Sequence, residues 1–203
     1  ITNNATIPWI MDKIKKLKKS YSIDSFYLDI GSAHNIPRYY KCRKRLDNPD
    51  EYKTIFVNKL QSALSMIGIS GAITVPQPPI FVSLPHVNSS WNGMKTILTS
   101  ALTYGIIGYP FIISGSVGGD FLLGINDTKL LNYQSISAPP LPDPELYIRW
   151  LQLSTFLPVM QFTHLPSEYK MEVVTEVAKE LTTIRSKTVV PILKKFLNDA
   201  MNE

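Results

Sequence analysis

Short apolar runs alternate with amphipathic helical stretches along most of this chain, and no other feature of it constrains the fold as much. "DSFYLD" (residues 24–29), "PPIFVSLP" (strand Ile80 to Leu84), "YPFIISG" (residues 109–115) and "PVMQF" (residues 158–162) read as strands. Between them lie helical patterns. "DNPDEYKTIFVNKLQSALSMIG" has Pro49 at its start, a stripe of Phe56, Leu60, Ala63, Leu64 and Ile67, and Gly68 placed to end it. "WNGMKTILTSALTYGIIG" and "PDPELYIRWLQLSTFL" follow, and Ser167 to Glu203 is helical with Pro191 dividing it. Ahead of the first strand, Thr6 can cap a helix carrying Pro8 and the stripe Trp9, Ile10, Ile14 and Leu17. Strand–helix alternation implies a parallel sheet with helices outside it. The near-continuous apolar strands agree with a sheet buried on both faces.

Two parallel architectures compete. A nucleotide-binding doubly wound sheet needs Gly-x-Gly-x-x-Gly after the first strand or a Walker loop, and neither is present. A (β/α) barrel remains, although four or five units are only about half of the eight that close one. Half a barrel leaves strand edges open, so a neighbour, a partner chain or the rest of a longer chain is expected to cover them. The chain opens on Ile1 rather than Met and shows no signal peptide, which suggests a processed chain or a fragment.

Charge and cysteine usage narrow the function classes. The net charge of +5 is local, with Lys13, Lys15, Lys16, Lys18 and Lys19 on one helix and Lys41, Arg43, Lys44 and Arg45 in one loop. Neither cluster interleaves aromatic residues with a basic face, so both read as solvated surfaces and no nucleic-acid partner is expected. Cys42 is the only cysteine, which rules out a disulfide within the chain and a Cys-based metal site. The histidines lack metal-ligand spacing, so no metal or other cofactor is expected. No apolar run is long enough to span a bilayer. The sequons at Asn4, Asn88 and Asn126 permit a secretory origin.

In a (β/α) barrel, chemistry sits at the C-terminal ends of the strands. Four places meet that description: Asp29 with Gly31; Pro85, His86 and Asn88; Gly115, Gly118, Gly119 and Asp120; and Gln161, Thr163 and His164. Asp29 is the one carboxylate directly at a strand end, and a catalytic and a structural role are both open to it. For His86 and His164 the position alone favours a structural or solvent-facing ring. "SGSVGGDFLLG" lacks the glycine spacing and following Lys-Ser/Thr of a phosphate loop and reads as a mobile loop beside a pocket. Trp9 and Trp150 read as core residues, while Trp91 fits either a core or a sugar-stacking wall.

"PDPELYIRWLQLSTFLPVMQF" (residues 142–162) resembles the segment near the end of the catalytic barrel in glycoside hydrolase family 31. "GIIGYPFIISGSVGGDFL" is similar to that family's preceding strand and loop, and "FYLDIGS" to the strand carrying its nucleophile. The resemblance implies the second, C-terminal half of a (β/α)8 TIM barrel over residues 1–203, with parallel strands, outer helices and the flanking β-domains absent. It implies a retaining α-glycosidase acting on terminal α-glucosyl or α-galactosyl groups, with Asp29 as nucleophile. Such enzymes need a second carboxyl group roughly 5 Å away to protonate the leaving oxygen.

Counting back from Trp91, that acid/base position falls on His86. An arginine expected slightly earlier falls on Ser83, and an aspartate expected after "GYPF" falls on Gly115. An imidazole can act as a general acid, but a lone imidazolium beside an oxocarbenium-like centre is electrostatically unfavourable. A catalytically degenerate relative that binds a glycan or a protein partner is the alternative. Trp91, Asp120, Gln161 and His164 are the candidate substrate-binding residues. The closest branch of the family is membrane-anchored and faces the secretory lumen, which implies the same compartment here.

Overall fold

The computed structural model describes residues 5–29, 39, 45–48, 50–61, 64, 66–73, 80–121 and 140–202. The chain divides into two compact units, Ile1–Ser83 and Leu84–Glu203.

The first unit contains helix α1 (Thr6–Tyr21), strand β1 (Phe26–Leu28), helix α2 (Glu51–Gln61), strand β2 (Ile67–Ser70) and strand β3 (Ile80–Ser83). The strands are parallel, with Phe26 opposite Ile67 and Ile67 opposite Ile80. Ile67, Ile69, Ile80 and Val82 are buried, as are Phe56, Val57 and Leu60 of α2. Removing such β-branched and aromatic side chains from water is the main favourable term, about 1.5–3 kcal/mol each.

Three expectations change in this unit. The helix predicted across residues 47–68 spans Glu51–Gln61, and Ile67–Ser70 is a strand. Gly68 is therefore not a helix stop. The Tyr27 ring of the neighbouring strand lies over it, so close that a Cβ there would stand 2.7 Å from the ring. Thr6 is the first residue of α1 rather than its cap, and Ala5 in the cap position makes no side-chain hydrogen bond. Trp9 is not in the core. It is 62% exposed with the Lys13 ammonium 5.9 Å from its ring centroid, because the only side chain α1 buries is Ile14.

The second unit contains α3 (Trp91–Ile106), β4 (Ile112–Ile113), α4 (Pro144–Thr155), a 3-10 turn (Pro166–Tyr169), α5 (Glu172–Ile184), a π turn (Arg185–Val189), α6 (Val190–Lys195) and α7 (Leu197–Asn202). Helix α4 begins where the sequence dictates. Asp143 Oδ1 accepts from the N–H groups of Glu145 and Leu146 at 3.0 and 3.1 Å, and Pro144 needs no donor in the first turn. Leu146, Tyr147, Trp150 and Leu151 form its buried face, and it packs on α3 and α5. The strand predicted over residues 158–162 is reduced to one parallel bridge, Gln161 to Ser116. At the start of that run the Arg185 guanidinium takes up the Pro158 carbonyl, together with those of Ser154, Thr155 and Leu157 at the end of α4, at 2.7–3.3 Å. Pro191 falls in the first turn of α6, where a missing N–H costs nothing.

Candidate functional site

The second unit gathers its strand-end residues through two glycines. Gly118 and Gly119 both have positive φ, +89° and +79°. A side chain at Gly119 would stand 2.9 Å from the Ser89 backbone and from the Trp150 ring. Only glycine lets the chain turn so tightly against both. The turn delivers Asp120 alongside the segment leaving Leu84: Asp120 N–H donates to Val87 O at 2.9 Å, and Ser89 N–H donates to Asp120 O at 3.0 Å. This parallel bridge sets Asp120 beside His86, with Nδ1 and Oδ2 2.7 Å apart. The two partners differ in access. The His86 side chain is 74% exposed, and that of Asp120 is 21% exposed.

The same turn collects the residues after α4. Val117 N–H donates to Gln161 O at 2.9 Å, and the hydroxyls of Ser116 and Thr163 lie 2.5 Å apart. Gln161 and Thr163 are exposed next to the glycine turn. The first half of "SGSVGGDFLLG" is thus a hydrogen-bonded turn, and its continuation over residues 122–124 lies outside the described residues. Trp91 opens α3, just after the Ser90 hydroxyl that accepts from Gly93 N–H at 3.0 Å, and its ring is half exposed.

His164 is placed differently. Its side chain is buried, and Nδ1 lies 3.3 Å from Glu168 Oε2. Its carbonyl accepts from the Tyr147 hydroxyl at 2.8 Å. Tyr147 and Tyr169 pack with ring centroids 4.7 Å apart, and Tyr169 donates to Pro142 O at 3.0 Å. Burial pushes both phenols up, with nearby acidic groups adding to the effect. The Leu165 N–H, donating at 2.7 Å, holds the Glu168 carboxyl below its ordinary range, and His164 adds to that effect. The sequence reading grouped His164 with Gln161 as strand-end residues. The structure puts it in the scaffold that carries the turn, through a tyrosine cluster that no local pattern announced.

In the first unit, Asp29 ends β1 with an exposed side chain. Lys53 of α2 is buried, and its ammonium donates to the carbonyls of Ser70 and, at 3.1 Å, Gly71. Burial lowers its affinity for a proton, and the charges of Asp29 and Asp50 oppose that effect. Lys53 interacts electrostatically with Asp29 at the end of β1 and was missed from sequence. A lysine inside "DEYKTIF" reads as solvated, and nothing local shows that it turns inward. Gly31, Cys42, Asn4 and Asn126 lie outside the described residues. Among the described residues there is no group of three or more acidic, histidine or cysteine side chains able to hold a metal, and no helix is long and apolar enough to cross a membrane.

Parallel strands with helices between them, and polar side chains at the strand ends, define a parallel α/β fold whose candidate site lies at the strand ends. Residues 85–193 match the family model of the glycosyl hydrolases family 31 TIM-barrel domain, and this chain belongs to that family. It is therefore part of a (β/α) barrel. It is similar to the myogenesis-regulating glycosidase of Mus musculus, 27% identical over 194 residues that cover 94% of this chain. It is also similar to the SITS-binding protein of Tetronarce californica, 26% identical over 201 residues, or 97% of this chain. The chain spans about a quarter of the length of both relatives, 26% in each case.

Proposed function

We propose that this chain contributes part of the catalytic barrel of a retaining α-glycosidase that removes terminal α-glucosyl or α-galactosyl groups. Membership of the family carries the reading, together with Asp29 standing at the end of a parallel strand. In this reading Asp29 attacks the anomeric carbon. Within the second unit, Trp91, Gln161 and Asp120 are the candidate sugar-binding residues. The partners are a carbohydrate substrate and whatever supplies the remaining strands of the barrel. The compartment is the secretory lumen, in keeping with the sequon at the exposed Asn88. A mobility shift after endoglycosidase treatment, lost in Asn88→Gln, tests that placement.

A second reading has one observation in its favour: position 86 holds histidine where the family resemblance calls for a carboxylic acid. A relative without a proton donor would bind a glycan or a protein partner and not cleave. Assay of the intact natural protein with p-nitrophenyl α-glucoside and α-galactoside separates the two. Turnover that Asp29→Asn abolishes supports the glycosidase. Sugar binding without turnover supports the second reading.

A further inference from the structure

We propose that helix α1 carries a binding surface for a sulfated polysaccharide, with Lys13, Lys15, Lys16 and Lys19 meeting the sulfates and Trp9 meeting a sugar ring. The surface lies within the first unit and is separate from the chemistry proposed at the strand ends.

The needs of the fold do not account for these lysines. Lys18 and Lys19 stand in the last turn of α1, where cations offset the helix dipole, but Lys13, Lys15 and Lys16 do not. Lys15 and Lys19 are one turn apart, and like charges at that spacing disfavour a helix. Asp12 is the single acid of α1, and Lys16 takes it at 2.8 Å. Among the described residues no carboxylate pairs with Lys15 or Lys19. All four lysines are exposed.

Helix geometry sets them on one side. The side chain that α1 buries is Ile14. At about 3.6 residues per turn, Trp9, Lys16 and Lys19 lie opposite Ile14, with Lys13 and Lys15 flanking them. From Trp9 to Lys19 this stripe runs about 15 Å along the helix axis. Its shape is a track for a linear polymer, not a pocket for a small anion. Trp9 supplies the aromatic ring that the lysine run by itself lacks. It is 62% exposed, and the Lys13 ammonium stands 5.9 Å from its ring centroid. The indole gives the cationic track one flat apolar face, which suits the C–H face of a sugar ring.

The same features choose among polyanions. Helix α1 contains no arginine, the residue whose planar fork suits the phosphates and base edges of nucleic acid. Lysine is a point charge on a flexible stem, able to follow sulfates at uneven spacing. An anionic bilayer fits less well. Interfacial helices insert a continuous apolar face, and the exposed apolar residues Leu17 and Tyr21 share the side of Ile14, away from Lys16 and Lys19. That side is the one turned into the fold.

The test measures the affinity of the intact natural protein for heparin at physiological ionic strength. Desulfated heparin of the same length, duplex DNA and phosphatidylserine vesicles are the comparison ligands. Heparin should bind, desulfated heparin should not, and added salt should weaken the complex. Replacing Lys13, Lys15, Lys16 and Lys19 together by glutamine should raise Kd by about tenfold or more. A charge-matched control, glutamine at the exposed Lys179, Lys187, Lys194 and Lys195, should change it far less. Trp9→Ala should weaken binding several-fold with every lysine in place. If the fourfold α1 variant melts earlier than the wild type, the pair Lys15→Gln and Lys19→Gln replaces it, since that pair relieves a like-charge contact. Absence of heparin binding, indifference to sulfation, equal losses in the two charge-matched variants or an unchanged Kd in Trp9→Ala each overturn the proposal. So does tighter binding to DNA or to the vesicles. Turnover is not read in any arm, so these outcomes leave the glycosidase reading where it stands.

Discussion

At the scale of single residues, Gly119 and Lys53 decide more than their chemistry suggests. Gly119→Ala places a Cβ where backbone and an indole already stand 2.9 Å away, at a φ of +79°. Strain of that kind costs on the order of 1–3 kcal/mol. The expected result is a lower melting temperature and loss of the His86–Asp120 contact, read from the His86 imidazole resonances; an unchanged melting curve would contradict the packing described. Lys53→Met keeps the stem and deletes the ammonium, leaving the carbonyls of Ser70 and Gly71 without that partner. Denaturant unfolding should show a loss of about 1–3 kcal/mol. Neither effect could be read locally. In "SVGGD" the glycines signal a turn but not what the turn touches, and Asp120 lies 34 positions from the histidine it meets. The position of Asp29 at a strand end, by contrast, was legible in the sequence because a carboxylate closing an apolar run is conspicuous wherever the strand goes.

Among the elements, helices α3 and α4 follow from their own residues. Ser90 and Asp143 cap them, and Pro144 starts the second. Asp143→Ala should cost about 1 kcal/mol in a chemical denaturation experiment. The 3-10 turn after α4 carries a pH dependence of determinate sign. The Glu168 carboxyl is held below its ordinary value by the Leu165 N–H and by His164. Its contribution is fully present above the ordinary glutamate value of about 4.3 and is lost as pH falls through the lowered folded value. An NMR titration should show the Leu165 amide changing with the Glu168 carboxyl, and Glu168→Gln should abolish the change. Two elements were misread because local composition does not show what packs or pairs alongside. Gly68 resembles a helix stop, yet it is a strand residue covered by Tyr27. The run 158–162 has strand composition but is reduced to one bridge, and at its start Arg185, from a π turn far along the chain, takes up the Pro158 carbonyl.

For the whole molecule, strand count governs function. A (β/α) barrel closes with eight strands, and the described residues carry four. On the glycosidase proposal, turnover of p-nitrophenyl glycosides is expected only with a closed barrel, so adding the remaining strands to residues 1–203 should raise it from background, and equal activity in the isolated chain would refute this. The sequence by itself determined the parallel α/β class, the family and the strand-end set that includes Asp29 and His86. Those properties are written in local periodicity, in caps and in short motifs, each complete within a few turns of chain. Tertiary structure alone decided that Asp120 faces His86, that Lys53 turns inward near Asp29 and that His164 belongs to the scaffold. Each of these depends on which distant segment packs alongside, and that is set by the burial of many side chains together.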